Sequence, residues 1–267
     1  IHGFGLSNYS TASSAFLADI SPPGRRAEAM GYYSVAMDMG LLGGPALAFF
    51  LVKFLGLERM FFLTASLACM AFLISIPVRE HRPPRIGPWP RWQLKTGIVS
   101  KRALPPAWMA FCMGMGIGPI LSFLAIFALQ RGIGNPGLYF TIQAVALIFS
   151  RTFSGRLSDR RGRMAVIIPG LCLIAAGLLI LPSAHTLVQL MLSAACLGLG
   201  LGSSQPATMA LTVDLVSPDE RGMAVSTYFI GFDSGIAMGS LALGAVATRY
   251  GFGTASIAAA SFVLLGL

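Results

Sequence analysis

Residues 198–239 read GLGLGSSQPATMALTVDLVSPDERGMAVSTYFIGFDSGIAMG, and residues 3–44 read GFGLSNYSTASSAFLADISPPGRRAEAMGYYSVAMDMGLLGG. Laid over one another without a gap, the two stretches match Gly3 to Gly198, Gly5 to Gly200, Asp19 to Asp214, Pro23 to Pro218, Arg26 to Arg221, Tyr33 to Tyr228 and Asp38 to Asp233. The same offset of 195 positions pairs Gly40 with Gly235, Gly44 with Gly239 and Gly56 with Gly251. Shared Leu and Ala mean little in an apolar chain. Shared Asp, Pro, Arg and Tyr mean more where only 10 of 267 residues are acidic. An internal repeat of this length points to a membrane protein built from two similar halves.

Composition agrees. The chain is 55% hydrophobic and 11% charged, with a mean hydropathy of +0.74, which excludes an ordinary soluble domain. Apolar runs recur at 1–19, 28–53, 60–78, 104–130, 136–155, 165–183, 187–212, 222–248 and 252–267. Each approaches the length needed to cross about 30 Å of hydrocarbon. Lipid offers no partner to backbone polar groups, so these runs are predicted to be helices. The alternation of a β-barrel strand is not seen.

The net charge of +9 is sorted rather than spread. Arg25, Arg26, Arg79, Arg82, Arg85, Arg91, Lys95, Lys101, Arg102, Arg156, Arg160, Arg161, Arg163 and Arg221 fall in alternate loops; Lys53, Arg59, Arg131 and Arg249 fall in the others. This positive-inside bias places loops 20–27, 79–103, 156–164 and 213–221 in the cytoplasm. Orientation explains the charge better than a nucleic-acid partner does. Cys69, Cys112, Cys172 and Cys196 stand singly in apolar runs, with no metal-ligand spacing, and read as buried thiols.

The Pro- and Arg-rich stretch 79–103 reads as a cytoplasmic linker, between a first part at 1–78 and a second at 104–267. Residues 104–195 precede the second copy of the repeat, so a counterpart of roughly 90 residues, about three helices, is expected ahead of residue 1.

Between two apolar runs lies Gly155-Arg156-Leu157-Ser158-Asp159-Arg160-Arg161-Gly162-Arg163. Gly155 and Gly162 are expected to permit a tight turn and close helix approach. Asp159 suits a helix N-terminus or a basic partner. The arginines suit carboxylates or lipid phosphates. The segment resembles the loop motif Gly-x-x-x-Asp-Arg-x-Gly-Arg of the major facilitator superfamily, with Gly155, Asp159, Arg160, Gly162 and Arg163 at its five fixed positions. A second, partial resemblance is Gly40-Leu41-Leu42-Gly43-Gly44-Pro45, which is similar to the start of a helix-five motif of proton-driven exporters. Ala48 and Phe49 stand where its last glycines belong. The bland reading of Gly40, Gly44 and Pro45, and of Gly231, Gly235 and Gly239, is a helix-packing stripe.

The resemblance implies an all-α polytopic bundle, with about nine transmembrane helices, four to twelve, of a pseudo-two-fold twelve-helix fold. It implies alternating access, with the 155–163 segment either helping to close one state or acting only as a basic turn that sets topology. Helices one, four, seven and ten would line the cavity. Asn8 and Tyr9 in helix four, Ser204 and Gln205 in helix ten and Phe123 in helix seven are then the candidate substrate contacts, although Ser and Thr commonly bond back to their own helix.

Three charges lie well inside apolar runs: Asp38, Arg151 and Asp233. Each acid costs on the order of 3 kcal/mol at mid-membrane and sits about 200° around the helix from the neighbouring glycine. Asp38 is expected to pair with Arg151, as a gate or a fixed brace; a proton-carrying role for Asp38 is the alternative. The glycine run 198–202 follows no predicted strand and lacks Lys-Ser/Thr, so it is no phosphate loop. No nucleophile elbow or HExxH is present.

The sequence therefore predicts a secondary active transporter without cofactor or metal, in the cytoplasmic membrane. It is expected to act as a monomer on a small-molecule substrate, with protons as the coupling ion for efflux and membrane lipids around it. A proton-coupled importer or uniporter of sugars or organic acids, and a non-transporting solute receptor, are the alternatives. An enzyme is not expected.

Overall fold

The computed structural model describes residues 26–77, 99–133, 136–217 and 220–267, together with Tyr9, Ser13, Phe16, Leu17 and Ile20; the side chains of Asp38 and Pro45 lie outside the described residues. The chain divides into two compact units, Ile1–Trp92 and Gln93–Leu267. Every regular element among the described residues is helical.

In the first unit, α1 spans Arg26–Ser75. A straight helix of 50 residues would be about 75 Å long, far beyond a bilayer core. The run is instead broken at Gly56, whose φ of 73° and ψ of 168° are not helical. The sequence places two runs, 28–53 and 60–78, on either side of this point, and the structure joins them through a single residue. No part of the apolar Leu47–Ser75 stretch is buried, and Phe54, Phe61, Phe62 and Phe72 stand exposed along it, a surface suited to lipid. Before α1, Ser13 Oγ donates to the Tyr9 carbonyl at 2.5 Å and meets the Tyr33 hydroxyl at 2.8 Å.

The second unit opens with a 3-10 turn, Lys101–Ala103. It continues through α2 (Leu104–Gln130), α3 (Pro136–Arg161), α4 (Met164–Ile180) and α5 (Leu187–Asp214). A last rod comprises α6 (Arg221–Met238), a π-turn (Gly239–Leu243) and α7 (Gly244–Tyr250), and is followed by α8 (Phe252–Leu264). The prolines after Leu104 suit a first helical turn, and a Thr186–Gln189 capping box starts α5. Among the described residues, five stretches are long and apolar enough to cross a membrane: Leu47–Ser75, Lys101–Gln130, Met164–Ser183, Leu187–Asp214 and Arg221–Tyr250. Helix α3 is long enough but carries Thr141, Gln143, Ser150, Arg151 and Thr152 along its middle.

Helix α5 sits between α3 and α4, α2 lies along α6, and α8 packs on both α2 and α4. Glycines set these distances. Along α6, a Cβ at Gly231 would strike the Ala107 carbonyl, one at Gly235 the Phe111 carbonyl, and one at Gly239 would lie 2.6 Å from the Met115 carbonyl. The glycines advance in step with their partners, so the two helices run parallel in one register. Gly114 and Gly118 return the contact, meeting the backbone of Phe232, Ile236 and Ser240. The 198–202 run serves two faces: Gly198 and Gly202 meet α3 at Gln143 and Leu147, and Gly200 meets α4 at Gly170. Ser150 Oγ donates to the Leu199 carbonyl at 2.8 Å, and Ser193 Oγ to that of Gly177 at 2.7 Å. Small residues and short hydroxyl bonds are how helices associate where lipid removes the hydrophobic drive between them.

Three details recur at the 195-residue offset. Gly251 has φ 86° and ψ 157°, close to the values at Gly56, in a region open essentially to glycine alone. Thr208 Oγ1 donates to the Ser204 carbonyl at 2.8 Å, as Ser13 does to that of Tyr9. Tyr228, like Tyr33, reaches from its own helix to the preceding polar one.

Gly235→Val is expected to destabilise the second unit by about 1–3 kcal/mol through overpacking against backbone that cannot yield. Gly222→Ala, where a Cβ meets nothing within 4 Å, is the neutral-to-stabilising control, and thermal unfolding in detergent reads both. Gly251→Ala is expected to cost about 1–3 kcal/mol from its dihedrals alone; an unchanged melting temperature would contradict the assigned turn.

Candidate functional site

Two groups of polar side chains converge in the second unit. The first lies in the helix layer, with Tyr228 buried and Arg151 and Gln205 half-buried. Arg151 on α3 donates through Nη2 to Gln205 Oε1 at 3.0 Å. The Tyr228 hydroxyl, from α6, donates to the Gln205 backbone carbonyl at 3.4 Å. Gln205 thus links three helices. Pro206, inside α5, has no N–H for the Gly202 carbonyl; Ser154 Oγ donates to that oxygen instead, at 3.4 Å.

Of the polar run 203–205, Gln205 reaches α3 with its side-chain amide, and the two serines bond chiefly to their own helix. Ser203 Oγ bonds the Leu199 and Gly200 carbonyls of its own helix. Ser204 is fully buried, donates to the Gly200 carbonyl at 2.7 Å and touches Met113 Sδ at 3.3 Å. Phe123 lays its ring against Gly244. Gln143 is buried on α3, and its Oε1 has no hydrogen-bond partner among the described residues. Asp233 is exposed on α6, whereas Gly235 and Gly239 beside it are buried, so the acid points away from the packed seam.

In the first unit, Tyr9 is exposed and Asn8 lies outside the described residues, as does the Asp38 carboxylate and with it the expected pair to Arg151. A Cβ at Gly40 or Gly44 would meet nothing within 4 Å, so these two glycines make no close helix contact among the described residues. Pro45 contributes only its place in α1.

The second group is the 155–163 segment. Most of it is helix rather than loop, since α3 continues to Arg161. This corrects the expectation of a turn at Gly155: that residue is helical, and a Cβ there would meet nothing within 4 Å. The turn falls to Gly162 alone, at φ 89°, and Arg163 is the N-cap of α4. There its guanidinium gathers three partners: Asp159 Oδ1 at 2.5 Å, Ser158 Oγ at 3.1 Å and, through Nε, Asp214 Oδ2 at 2.9 Å. The Asp214 bond, then the Asp159 bond, hold the Arg163 pKa above its ordinary value against the opposing effect of burial. Arg160 and Arg161 project outward from the last turn of α3. Above this knot lies a cleft of about 110 Å³, lined by Ser154, Gly155, Ser158, Asp159, Arg163, Pro206, Ala207 and Ala210.

The knot ties the end of α3 to the end of α5. Its members are partly wet, with side chains 26% (Arg163), 70% (Asp159) and 52% (Asp214) exposed, so it contributes only about 0–1 kcal/mol. It is a link that can open. Sequence reasoning missed Asp214 and Tyr228 as site residues, although both are among the positions repeated at the 195-residue offset, from Asp19 and Tyr33. Neither group resembles a catalytic constellation, and no cluster of metal-ligating side chains occurs among the described residues.

Comparison with known proteins agrees with this architecture. A family profile described as Major Facilitator Superfamily matches residues 1–139 and again 109–267. The chain is 32% identical over 177 residues to the multidrug resistance protein MdtG of Citrobacter koseri, covering 61% of this chain and 43% of that protein. It is 30% identical to MdtG of Salmonella arizonae and of Salmonella typhi, in each case over 61% of this chain and 44% of the relative. The chain therefore spans less than half the length of the relatives it matches. Profile matches across both units, with helices of membrane-spanning length and composition in each, identify a multi-pass membrane protein: the chain belongs to the major facilitator superfamily.

Proposed function

We propose that this chain is part of a secondary active transporter that exports small organic molecules by alternating access, driven by protons, as a monomer in the cytoplasmic membrane. The single observation that carries the reading is the family match across the chain, together with relatives named as multidrug resistance proteins. The half-buried Arg151–Gln205–Tyr228 group supports it physically. An arginine within a membrane helix is expensive and marks a solute or ion pathway. Gln205 supplies, within the second unit, a polar side chain of the kind that fixes a ligand in a binding cavity. The cytoplasmic loops are 20–27, 79–103, 156–164 and 213–221, which puts the Arg163 knot on the inner side as a latch on one state.

The test uses the full-length protein in cells lacking other pumps. Export predicts reduced ethidium accumulation, restored to the level of empty cells by a protonophore. Raised accumulation would replace export by import. Ligand binding without gradient-dependent flux would leave only a receptor.

The latch makes a second prediction. Arg163→Lys or Asp214→Asn is expected to lower flux roughly three- to tenfold with less than about 1 kcal/mol change in stability. Because the folded-state pKa of Arg163 is raised, its stabilisation is complete below the ordinary arginine value and lost only above it. Arg163 therefore stays charged between about pH 5 and 9, and the lysine of Arg163→Lys, which also keeps its charge there, should leave the pH profile of flux as in the wild type. A shifted profile would overturn this.

A further inference from the structure

We propose that α2 and the α6–α7 rod bend together, at one level, about a braced hinge made of Pro119 and the π-turn Gly239–Leu243. Each helix carries its own defect at this height. Pro119 lies inside α2, where it gives no N–H to the Met115 carbonyl. That carbonyl faces Gly239, the first residue of the π-turn, where a Cβ would lie 2.6 Å from the oxygen. A π-turn holds one residue more than an α-turn, and a proline removes one rung of the ladder; both are places where helices bend.

The two defects are joined by side chains. Ser122 Oγ donates to Ser240 Oγ at 3.0 Å, and Ser240 Oγ donates onward to the Gly118 carbonyl at 3.0 Å. Ser240 lies within the π-turn, and Gly118 precedes the proline, so the relay connects one break to the other.

The glycine spacing records the same event. Gly231, Gly235 and Gly239 meet the Ala107, Phe111 and Met115 carbonyls at intervals of four residues, and the next seam glycine, Gly244, comes five residues on, against the Phe123 ring. An uninterrupted α-helix would bring Leu243 there; the extra residue of the π-turn substitutes a glycine. The first copy of the repeat has Pro45 where the second has Ser240, directly after the matched glycines Gly44 and Gly239. The first copy thus gives up one backbone N–H directly after the glycine that opens the π-turn in the second.

Beyond the hinge the chain is tied into a block. The Phe127 and Phe252 rings lie 4.6 Å apart. Arg131, 4.5 Å from the Phe127 ring centre, donates to the Pro182 and Ala184 carbonyls at 3.1 and 2.6 Å. These contacts fasten the end of α2 to α8, which follows α7 directly at Gly251, so the segments beyond the two breaks are joined to each other as well as to the 182–184 turn.

Amide hydrogen exchange on the full-length protein in lipid nanodiscs tests the coupling. In the wild type, amides of 120–124 and 240–245 should exchange faster than those of 107–114 and 228–236. Ser240→Ala should speed exchange about tenfold in both segments together, Ser122→Ala should do so less, and Ser240→Thr should restore protection. Acceleration confined to 240–245, or wild-type protection equal on both sides of the breaks, would overturn the proposal. The readout needs no transported solute, so a failure of the export reading leaves it standing, and its own failure leaves export untouched.

Discussion

Backbone-to-backbone contact between α2 and α6 is the constraint on which the second unit depends. In lipid, two apolar helices gain little by hiding from their surroundings, and association rests on how closely they approach. Three α6 glycines lie over the carbonyls of Ala107, Phe111 and Met115, and two α2 glycines return the contact. No side chain stands between the backbones, so neither helix can turn about its axis without a clash. Helix α5 repeats the solution on two faces through Gly198, Gly200 and Gly202. This accounts for a glycine run that superficially resembles a phosphate loop.

Much of this was legible in the sequence because membrane helices are written in long, unambiguous runs. The all-helical class, the span limits of α2 and α5 and the family all follow from hydropathy, charge sorting and the 155–163 motif. The repeat pairs Gly56 with Gly251, and the structure shows both to be turns with dihedrals open essentially to glycine alone. What stayed hidden depends on register and rotamer. Apolar periodicity does not show that the motif is mainly the end of a helix, because its charges look like a loop. Nor does it show that Ser204 turns back on its own backbone while Gln205 one residue later reaches α3. The π-turn is visible only as a five-residue interval in a four-residue glycine series, a signal that means nothing until the partner helix is known.

The Arg151 group shows how a charge is accommodated within such a bundle. Its guanidinium reaches the amide of Gln205, whose backbone carbonyl also accepts from Tyr228. Pro206, next in sequence, frees the Gly202 carbonyl that Ser154 then satisfies. The polar features of α3 and α5 are therefore interdependent: the proline that shapes α5 beside Gln205 creates the need that a serine on α3 meets. This also explains why α3 is too polar to rank with the apolar spans. Its middle is addressed to α5 as much as to lipid.

Rigid and conditional contacts are segregated by chemistry. The glycine seams are backbone against backbone, indifferent to pH or salt, and hold helices as pairs. The Arg163 knot is charged, partly wet and weak, and beside it an open cleft leaves room for the ends of α3 and α5 to shift. The serine relay at Ser122, Ser240 and Gly118 is neutral and short, strong enough to couple two bends and weak enough to re-form. Closely packed glycine seams are thus set against a few polar links that are individually weak. The distribution of glycine, proline, serine and arginine along α2, α3, α5 and α6 produces this division without any single strong interaction.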